Sequence, residues 1–250
     1  MEINKIYNEN CLDTMARMKD EFIDLTVTSP PYDNLRTYNG YSFDFESVAK
    51  ELYRVTKKGG VVVWVVGDAT IKGSETGTSF KQALFFKECG FNLHDTMIWQ
   101  KTNPPPNDKR QNRYINAFEY MFVFSKGKPK NCNYITKDCK HYGKIRGGTK
   151  QLDIDSDKRR VSKKSEVNKT KPLINIWEIS KYCGKNNHPA PFPEKIANDH
   201  IISWSNEKDI IYDCFIGSGT TSKMSKLNNR NYIGSEISEE YCKIANERLA

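Results

Sequence analysis

Two short stretches hold the residues whose types and spacing suit chemistry: Thr28-Ser29-Pro30-Pro31-Tyr32, and Tyr212-Asp213-Cys214-Phe215-Ile216-Gly217-Ser218-Gly219-Thr220-Thr221. In the first, the Ser29 hydroxyl oxygen and the Pro30 carbonyl are hydrogen-bond acceptors on adjacent residues. Two consecutive prolines stiffen the loop and remove competing N–H donors. An aromatic amino group is a poor nucleophile because its lone pair is delocalised into the ring. A pair of acceptors that takes both amine hydrogens favours a tetrahedral nitrogen, its lone pair aimed at a methyl donor. Tyr32 offers a flat face for stacking on a base flipped out of a duplex. This scheme works by placement and electrostatics, with no metal and no covalent intermediate. Taken alone, the same residues also read as a rigid proline turn.

In the second stretch, Gly217 and Gly219 allow the backbone close to a ligand, and the helix that follows presents N–H donors at its start. Glu236 ends the next predicted strand, 23 residues after Asp213. That is near the gap of about 20 residues at which an acid meets ribose hydroxyls in nucleotide-binding folds. Both oxygens of a carboxylate can accept from a diol. A lone G-x-G also marks an ordinary tight turn. A phosphate-cradling P-loop is disfavoured because no Gly-Lys-Ser/Thr follows, and a dinucleotide fingerprint would need a third glycine.

These stretches need strands to carry them. Ile3–Tyr7 and Leu25–Val27 read as short strands around a helix marked by Leu12, Met15 and Met18. Phe45–Val55 reads as a helix with Phe45, Val48, Ala49, Leu52 and Val55 on one face, closed by Lys57-Lys58-Gly59-Gly60. Val61–Val66 is a continuous apolar run around Trp64, expected of a strand covered on both faces. A helix over Phe80–Cys89 and strands over Thr96–Lys101 and Phe118–Phe124 follow. After Ile174–Trp177 come a helix from Pro193 to Trp204, strand Ile210–Asp213, helix Thr221–Leu227, strand Asn231–Ser235 and helix Glu239–Leu249. Strands alternating with helices predict a mostly parallel, three-layer α/β sheet with helices on both faces. Each chemical stretch then follows a strand's carboxyl end, where ligand crevices form in such sheets.

The chain has 250 residues, enough for one α/β domain with an insertion. Such a length buries roughly 70–75% of the unfolded surface. The N-terminal ten residues are polar and carry Glu2 and Lys5, so no secretory leader is expected. The longest apolar run, Val61–Val66, is too short to span a bilayer, so no membrane association and a cytoplasmic location are expected. The seven cysteines (Cys11, Cys89, Cys132, Cys139, Cys183, Cys214, Cys242) show no C-x-x-C pair and read as reduced thiols, with no structural metal expected. Charge is concentrated: between Lys126 and Lys171 stand 15 Lys/Arg against 5 Asp/Glu, whereas the whole chain carries +8. The positive charge therefore belongs to one segment, either a solvated stretch or an electrostatic footprint for phosphates. Periodicity vanishes there, which predicts an irregular, partly flexible insertion.

With its order of motifs, the chain resembles the amino-methylating (cytosine-N4/adenine-N6) DNA methyltransferases of bacterial restriction–modification systems and their phages. T-S-P-P-Y and D-C-F-I-G-S-G-T-T carry the resemblance, together with H-P-A-P-F-P-E at His188–Glu194, Trp99-Gln100-Lys101-Thr102-Asn103-Pro104, and the run Glu119–Lys126. Catalytic loop first, basic insertion next and cofactor loop last is similar to that family's β-type, circularly permuted arrangement. The resemblance covers about 200 residues and implies a Rossmann-like S-adenosylmethionine-dependent methyltransferase fold. It divides the chain into a catalytic half (1–125), a basic target-recognition insertion (126–172) and a cofactor-binding half (173–250). By resemblance Ser29, Pro30, Pro31 and Tyr32 are catalytic. Asp213, Phe215, Gly217, Gly219, Thr220 and Glu236 hold S-adenosylmethionine, with His188 and Phe192 at its methionine end. Asn10 and Cys11 occupy the family's Asp-Cys position near the adenine, and Asn10 departs from that pattern. His188 reads equally as a capping or core histidine.

Serine before Pro-Pro-Tyr leans, in that family, toward cytosine-N4 rather than adenine-N6. Double-stranded DNA is the implied partner, in a bacterial or phage-infected cell. Lys144, Arg146, Lys150, Lys158, Arg159, Arg160, Lys163 and Lys164 are candidates for phosphate contacts, and Arg36, with Tyr38, for ordering against DNA or cofactor. A homodimer and a cognate restriction enzyme are compatible with the resemblance, but no motif marks either. Two other readings stay open: an RNA or protein amide methyltransferase on the same fold, and a nucleic-acid-binding module with a decayed site. The basic segment favours nucleic acid over protein, and the intact Ser29-Pro30-Pro31-Tyr32, Gly217, Gly219 and Glu236 argue against decay.

Overall fold

A computed structural model describes residues 1–31, 44–104, 112–146, 150–153, 156–161, 165–180 and 193–250, and between 146 and 164 the backbone alone. The described chain forms two compact units, Met1–Asn133 with Asn175–Ala250, and Tyr134–Ile174. No described helix is long and apolar enough to cross a membrane.

The first unit is built on an eight-stranded sheet. Its strands are β1 (Lys5–Tyr7), β2 (Ile23–Thr28), β3 (Thr56–Val66), β6 (Asn92–Lys101), β7 (Phe118–Ser125), β14 (Ile176–Ile179), β15 (Ile210–Asp213) and β16 (Asn231–Ser235), and the hairpin β4 (Thr70–Ile71) and β5 (Ser74–Glu75) lies outside it. In space they run β1-β16-β15-β2-β3-β7-β6-β14, and every neighbouring pair is parallel except the two that involve β7. Chain order therefore differs from spatial order: β15 and β16, last in sequence, lie between β1 and β2. Strands from the C-terminal end of the chain thus lie among strands from its N-terminal part.

Side chains alternate across the strands and so sort the helices onto two faces. Val62, Trp64 and Val66 of β3, Phe122 and Phe124 of β7, and Tyr212 of β15 pack in one core with buried residues of α1 (Cys11–Ala16), α2 (Phe45–Val55) and α3 (Thr78–Glu88). The adjacent Met121 of β7 faces the other way, its Sδ 3.4 Å from His200 Nε2 on α4 (Glu194–Trp204). On that second side Thr221 of α5 (Thr220–Leu227) donates its hydroxyl to the Val27 carbonyl at 3.2 Å. The last helix, α6 (Glu239–Glu247), packs its Cys242 and Ala245 with Ile6 and Ile216.

Helix α2 spans the predicted residues and buries Val48, Ala49, Leu52 and Val55, with Asp44 capping it through Ser47 N at 3.2 Å. Its end departs from expectation. The Lys57-Lys58-Gly59-Gly60 sequence does not close the helix as a glycine cap; Thr56 already turns extended and β3 begins there. Gly59 instead sits inside the strand at φ +80°, beside a register shift between Ile23 and Leu25. A Cβ on Gly60 would come within 2.9 Å of the Asp24 carbonyl oxygen, so the pair of glycines serves a bulge and a close crossing.

The second unit corrects the expectation of an irregular insertion. It is a nested series of antiparallel strand pairs: β8 (Thr136–Asp138) with β13 (Thr170–Pro172), β9 (Ile145–Arg146) with β12 (Ser165–Glu166), and β10 (Lys150–Asp153) with β11 (Ser156–Val161). Bonds between the ladders keep the ribbon continuous, among them Cys139 N to Lys169 O at 2.8 Å and Val167 N to Lys144 O at 3.0 Å. The compact unit also starts later than the change in composition. Lys126 belongs to the first unit, donating to the Tyr53 and Thr56 carbonyls, both at 3.0 Å.

Candidate active site

Five parallel strands end at one edge of the sheet: β1 at Tyr7, β16 at Ser235, β15 at Asp213, β2 at Thr28 and β3 at Val66. Between β15 and β2 the sequence progression reverses direction, since β15 continues outward to β16 while β2 continues the opposite way to β3. Such a reversal opens a crevice in a parallel sheet. The proline stretch leaves β2 and the glycine stretch leaves β15, so both begin at that crevice.

Hydrogen bonds span it. Thr28 Oγ1 donates to Asp213 Oδ1 at 2.6 Å, with Thr28 1% and Asp213 5% exposed. Phe215 N donates to the same carboxylate oxygen at 3.0 Å. Burial pushes the Asp213 carboxyl up to about 6, although the Thr28 hydroxyl and the Phe215 N–H hold it back part of the way. Ser29 is half-buried, Pro30 buried and Pro31 half-buried. Tyr32, Arg36 and Tyr38 lie outside the described residues, as do His188 and Phe192.

The glycine turn folds back over β16. Ile216 N donates to Ser235 O at 3.0 Å, and a Cβ on Gly234 would stand 3.0–3.2 Å from the Ile216 side chain. Gly217 and Gly219 hold φ +50° and +83°, a region that costs other residues about 1 kcal/mol. Gly219 is the N-cap of α5 with no side-chain cap bond, and Thr220 and Thr221 open that helix, both buried. Glu236 reaches the same turn: its Oε2 accepts from Gly217 N at 3.0 Å and its Oε1 from Ser238 N at 2.9 Å. Its own N–H donates to Tyr7 O at 3.0 Å, and Asn8 Nδ2 holds its carbonyl at 2.9 Å. Burial raises the Glu236 carboxyl, against the pull of the Ser238 and Gly217 N–H groups.

This donor set fits S-adenosylmethionine. Each Glu236 oxygen accepts one backbone N–H and keeps a second lone pair, which is what a ribose diol needs. A turn of two left-handed glycines with a helix start behind it lets a ligand approach main-chain N–H groups. Asn10 and Cys11 stand on the strand–helix turn beside this region. Asn10 spends its Oδ1 on capping α1, accepting from Leu12 N at 2.9 Å. Cys11 is buried, and burial pushes its thiol up to about 12, so it acts as a small neutral packing group. The Phe215 ring lies edge-on to Trp64, centroids 6.2 Å apart.

Of the candidate DNA contacts, Lys144 is exposed in the second unit. Arg146 lies in β9, Lys150 in β10, and Lys158, Arg159 and Arg160 in β11, their backbones paired in the ribbon or beside its bulge. Lys163 and Lys164 lie outside the described residues. Sequence reasoning missed Thr28 and Gly234, which pack against the two stretches. Thr28 was visible as a polar end to an apolar strand, but its partner is 185 residues away.

Residues 23–247 match the DNA methylase family of N6 and N4 methyltransferases. The chain is 60% identical over 238 residues to the orphan methyltransferase M.BamHII of Bacillus amyloliquefaciens, covering 91% of this chain and 88% of that protein. It is 28% identical to the type II methyltransferase M.HinfI of Haemophilus influenzae over 99% of this chain and 68% of that one. Among solved structures it resembles the cytosine-N4-specific PvuII DNA methyltransferase, with TM-score 0.74, 22% identity, and coverage of 100% of this chain and 87% of that one. It also resembles the M1.HpyAVI complex with S-adenosylmethionine, with TM-score 0.66, 22% identity and 98% of each chain covered.

Proposed function

The chain belongs to the DNA methylase family, and from that membership we propose that it methylates the exocyclic amino group of cytosine, at N4, within a specific site in double-stranded DNA. The carrying observation is the Thr28–Asp213 hydrogen bond at 2.6 Å, which ties the strand bearing the proline loop to the strand bearing the glycine turn. A donor held by one loop and an amine held by the other then meet over a single crevice.

Glu236 and the Gly217–Thr220 turn hold S-adenosylmethionine, with Asp213 bracing the base of that turn. When bound, the cofactor supplies an electrophilic methyl group on a sulfonium. The protein's own work lies on the amine. Ser29 Oγ and the Pro30 carbonyl accept its two hydrogens, so that the nitrogen lone pair turns out of the ring. The semi-buried position of this loop strengthens such bonds by lowering the local dielectric. Tyr32 stacks on the everted base, whose extrusion from the duplex costs a few kcal/mol. After transfer the nitrogen carries an extra proton, which is lost to solvent.

Serine rather than aspartate at position 29 supports cytosine over adenine. The second unit carries 12 Lys/Arg and 5 Asp/Glu, which supports a role in neutralising backbone phosphates. Its 60% identical relative is named an orphan methyltransferase, which supports action without a cognate restriction enzyme. Sequencing DNA from a host expressing the chain, with a readout that separates N4-methylcytosine from N6-methyladenine, identifies base and site together. Labelled methyl transfer to RNA or peptide in preference to duplex DNA overturns the proposal.

A further inference from the structure

The C-terminal helix ends on a charged contact that the methyl-transfer scheme leaves unused. Arg248 Nη1 donates to the Ser218 carbonyl at 2.6 Å, to Ser218 Oγ at 2.9 Å and to Thr220 Oγ1 at 3.3 Å. Its Nη2 donates to Glu194 Oε1 at 2.8 Å. The same Glu194 oxygen accepts from Lys223 Nζ of α5 at 2.7 Å. Arg248 is 18% exposed, Glu194 45%. One guanidinium thus grips the residue between the two glycines and the first residue of α5. With its other nitrogen it holds the carboxylate that opens α4, the last residue of the His188–Glu194 stretch.

The surroundings of the turn argue that this contact sets its shape. The turn needs left-handed geometry at both glycines, at φ +50° and +83°, so its backbone has an unusually wide choice of other conformations. No side chain caps α5 at Gly219. The Ser218 carbonyl is held by the guanidinium, a charge-assisted bond of the stronger kind. The helix bearing Arg248 also lies directly against the turn: a Cβ on Gly219 would stand 2.8 Å from Ala245 Cβ and 3.0 Å from Ala245 Cα. Arg248 and Ala245 are three residues apart and so share a helix face. The Lys223 ammonium and then the Arg248 guanidinium hold the Glu194 carboxyl below the usual range, so the cluster stays charged at neutral pH.

We propose that Arg248 is a positioning residue for the cofactor: it fixes the Gly217–Thr220 turn in its binding shape and, through Glu194, ties that turn to the start of α4. The inference rests on the reading of this turn as the S-adenosylmethionine site. Arg248 touches neither cofactor nor base in this scheme, and its influence passes through main chain at Ser218. Loss of the guanidinium leaves the turn free to populate shapes that cannot bind, which divides the apparent affinity by the competent fraction. The chemical step, once cofactor is bound, is left alone.

The test measures S-adenosylmethionine affinity by calorimetry, and KM and kcat for methyl transfer to duplex DNA, on the full chain. Arg248→Gln is expected to raise Kd and KM for S-adenosylmethionine about tenfold, the loss equivalent to one charge-assisted bond, with kcat at saturating cofactor within about twofold. Arg248→Lys restores the charge without the fork and is expected to recover only part of the affinity. Glu194→Gln is expected to weaken binding about threefold, and less than that in the Arg248→Gln background, because the two act through one contact. A purely structural role predicts lower thermal stability with Kd unchanged, and that result overturns the proposal, as does a fall in kcat at unchanged KM. Should Arg248→Gln not fold, Arg248→Lys carries the same comparison. A wild-type chain that binds no S-adenosylmethionine sinks the cofactor reading itself. A wild type that binds while Arg248→Gln matches it sinks only this inference.

Discussion

Replacing Thr28 by valine keeps the β-branched shape and removes a hydroxyl that spans the crevice. The structure sets the size of the effect. Thr28 Oγ1 lies 2.6 Å from Asp213 Oδ1, and the pair is shielded from water at 1% and 5% exposure. A hydrogen bond to an ionised group in such a place is worth about 1.5–3 kcal/mol, the equivalent of about 1–2 pKa units. Burial already holds the Asp213 carboxyl at about 6 against its ordinary 3.8. A carboxyl raised on folding contributes stability that is fully present below the unfolded value and is lost as pH rises through the folded one. In Thr28→Val the folded value rises further, so that loss deepens and its window moves upward. The variant is therefore expected to be close to wild type at pH 5 and less stable by about 1.5–3 kcal/mol at pH 9. Urea unfolding without cofactor at pH 5, 6, 7, 8 and 9 measures the difference, and Thr28→Ser is expected to recover most of it. A penalty that does not change with pH, or none at all, would mean that the hydroxyl does not serve the carboxylate.

The other expectations follow from the same edge of the sheet. Glu236→Ala is expected to weaken S-adenosylmethionine binding about tenfold or more, by removing an acceptor for the diol and unpinning Gly217 N; an unchanged Kd in calorimetry refutes that role. Pro30→Ala is expected to lower kcat about 100-fold while cofactor affinity stays within about twofold, since placement of the amine acceptors is lost and the cofactor turn is untouched. Equal loss of both shows that the roles are wrongly divided; Tyr32→Ala carries the same expectation. Gly219→Ala is expected to destabilise the fold by about 2–4 kcal/mol, from the left-handed backbone and overpacking against Ala245. Ala245→Gly should recover the packing part in a double-mutant cycle, and strict additivity of the two changes speaks against the close approach.

The sequence by itself determined the parts that are local. Helix α2 is legible because its apolar residues recur at helical spacing. Val61–Val66 is legible because a run buried on both faces needs no polar alternation. The two loops announced themselves through residues whose backbones are unusual, prolines in one and glycines in the other. The basic ribbon was not legible. The strands β8, β12 and β13 are exposed along their length, so no period-two pattern is imposed on them, and only charge remains to be read. Lys57-Lys58-Gly59-Gly60 misled for a related reason: glycine at positive φ serves a strand bulge as well as a helix cap, and tertiary pairing with β2 and Lys126 chose between them.

Tertiary structure alone decided who meets whom across the crevice. Thr28 with Asp213 and Arg248 with Ser218 are separated by 185 and 30 residues, and a hydroxyl or guanidinium carries no mark of its distant partner. The sheet supplies that information: inserting β15 between β16 and β2 puts two strand ends side by side. Hydrogen bonds act over about 3 Å, so only that adjacency turns two separate loops into one site.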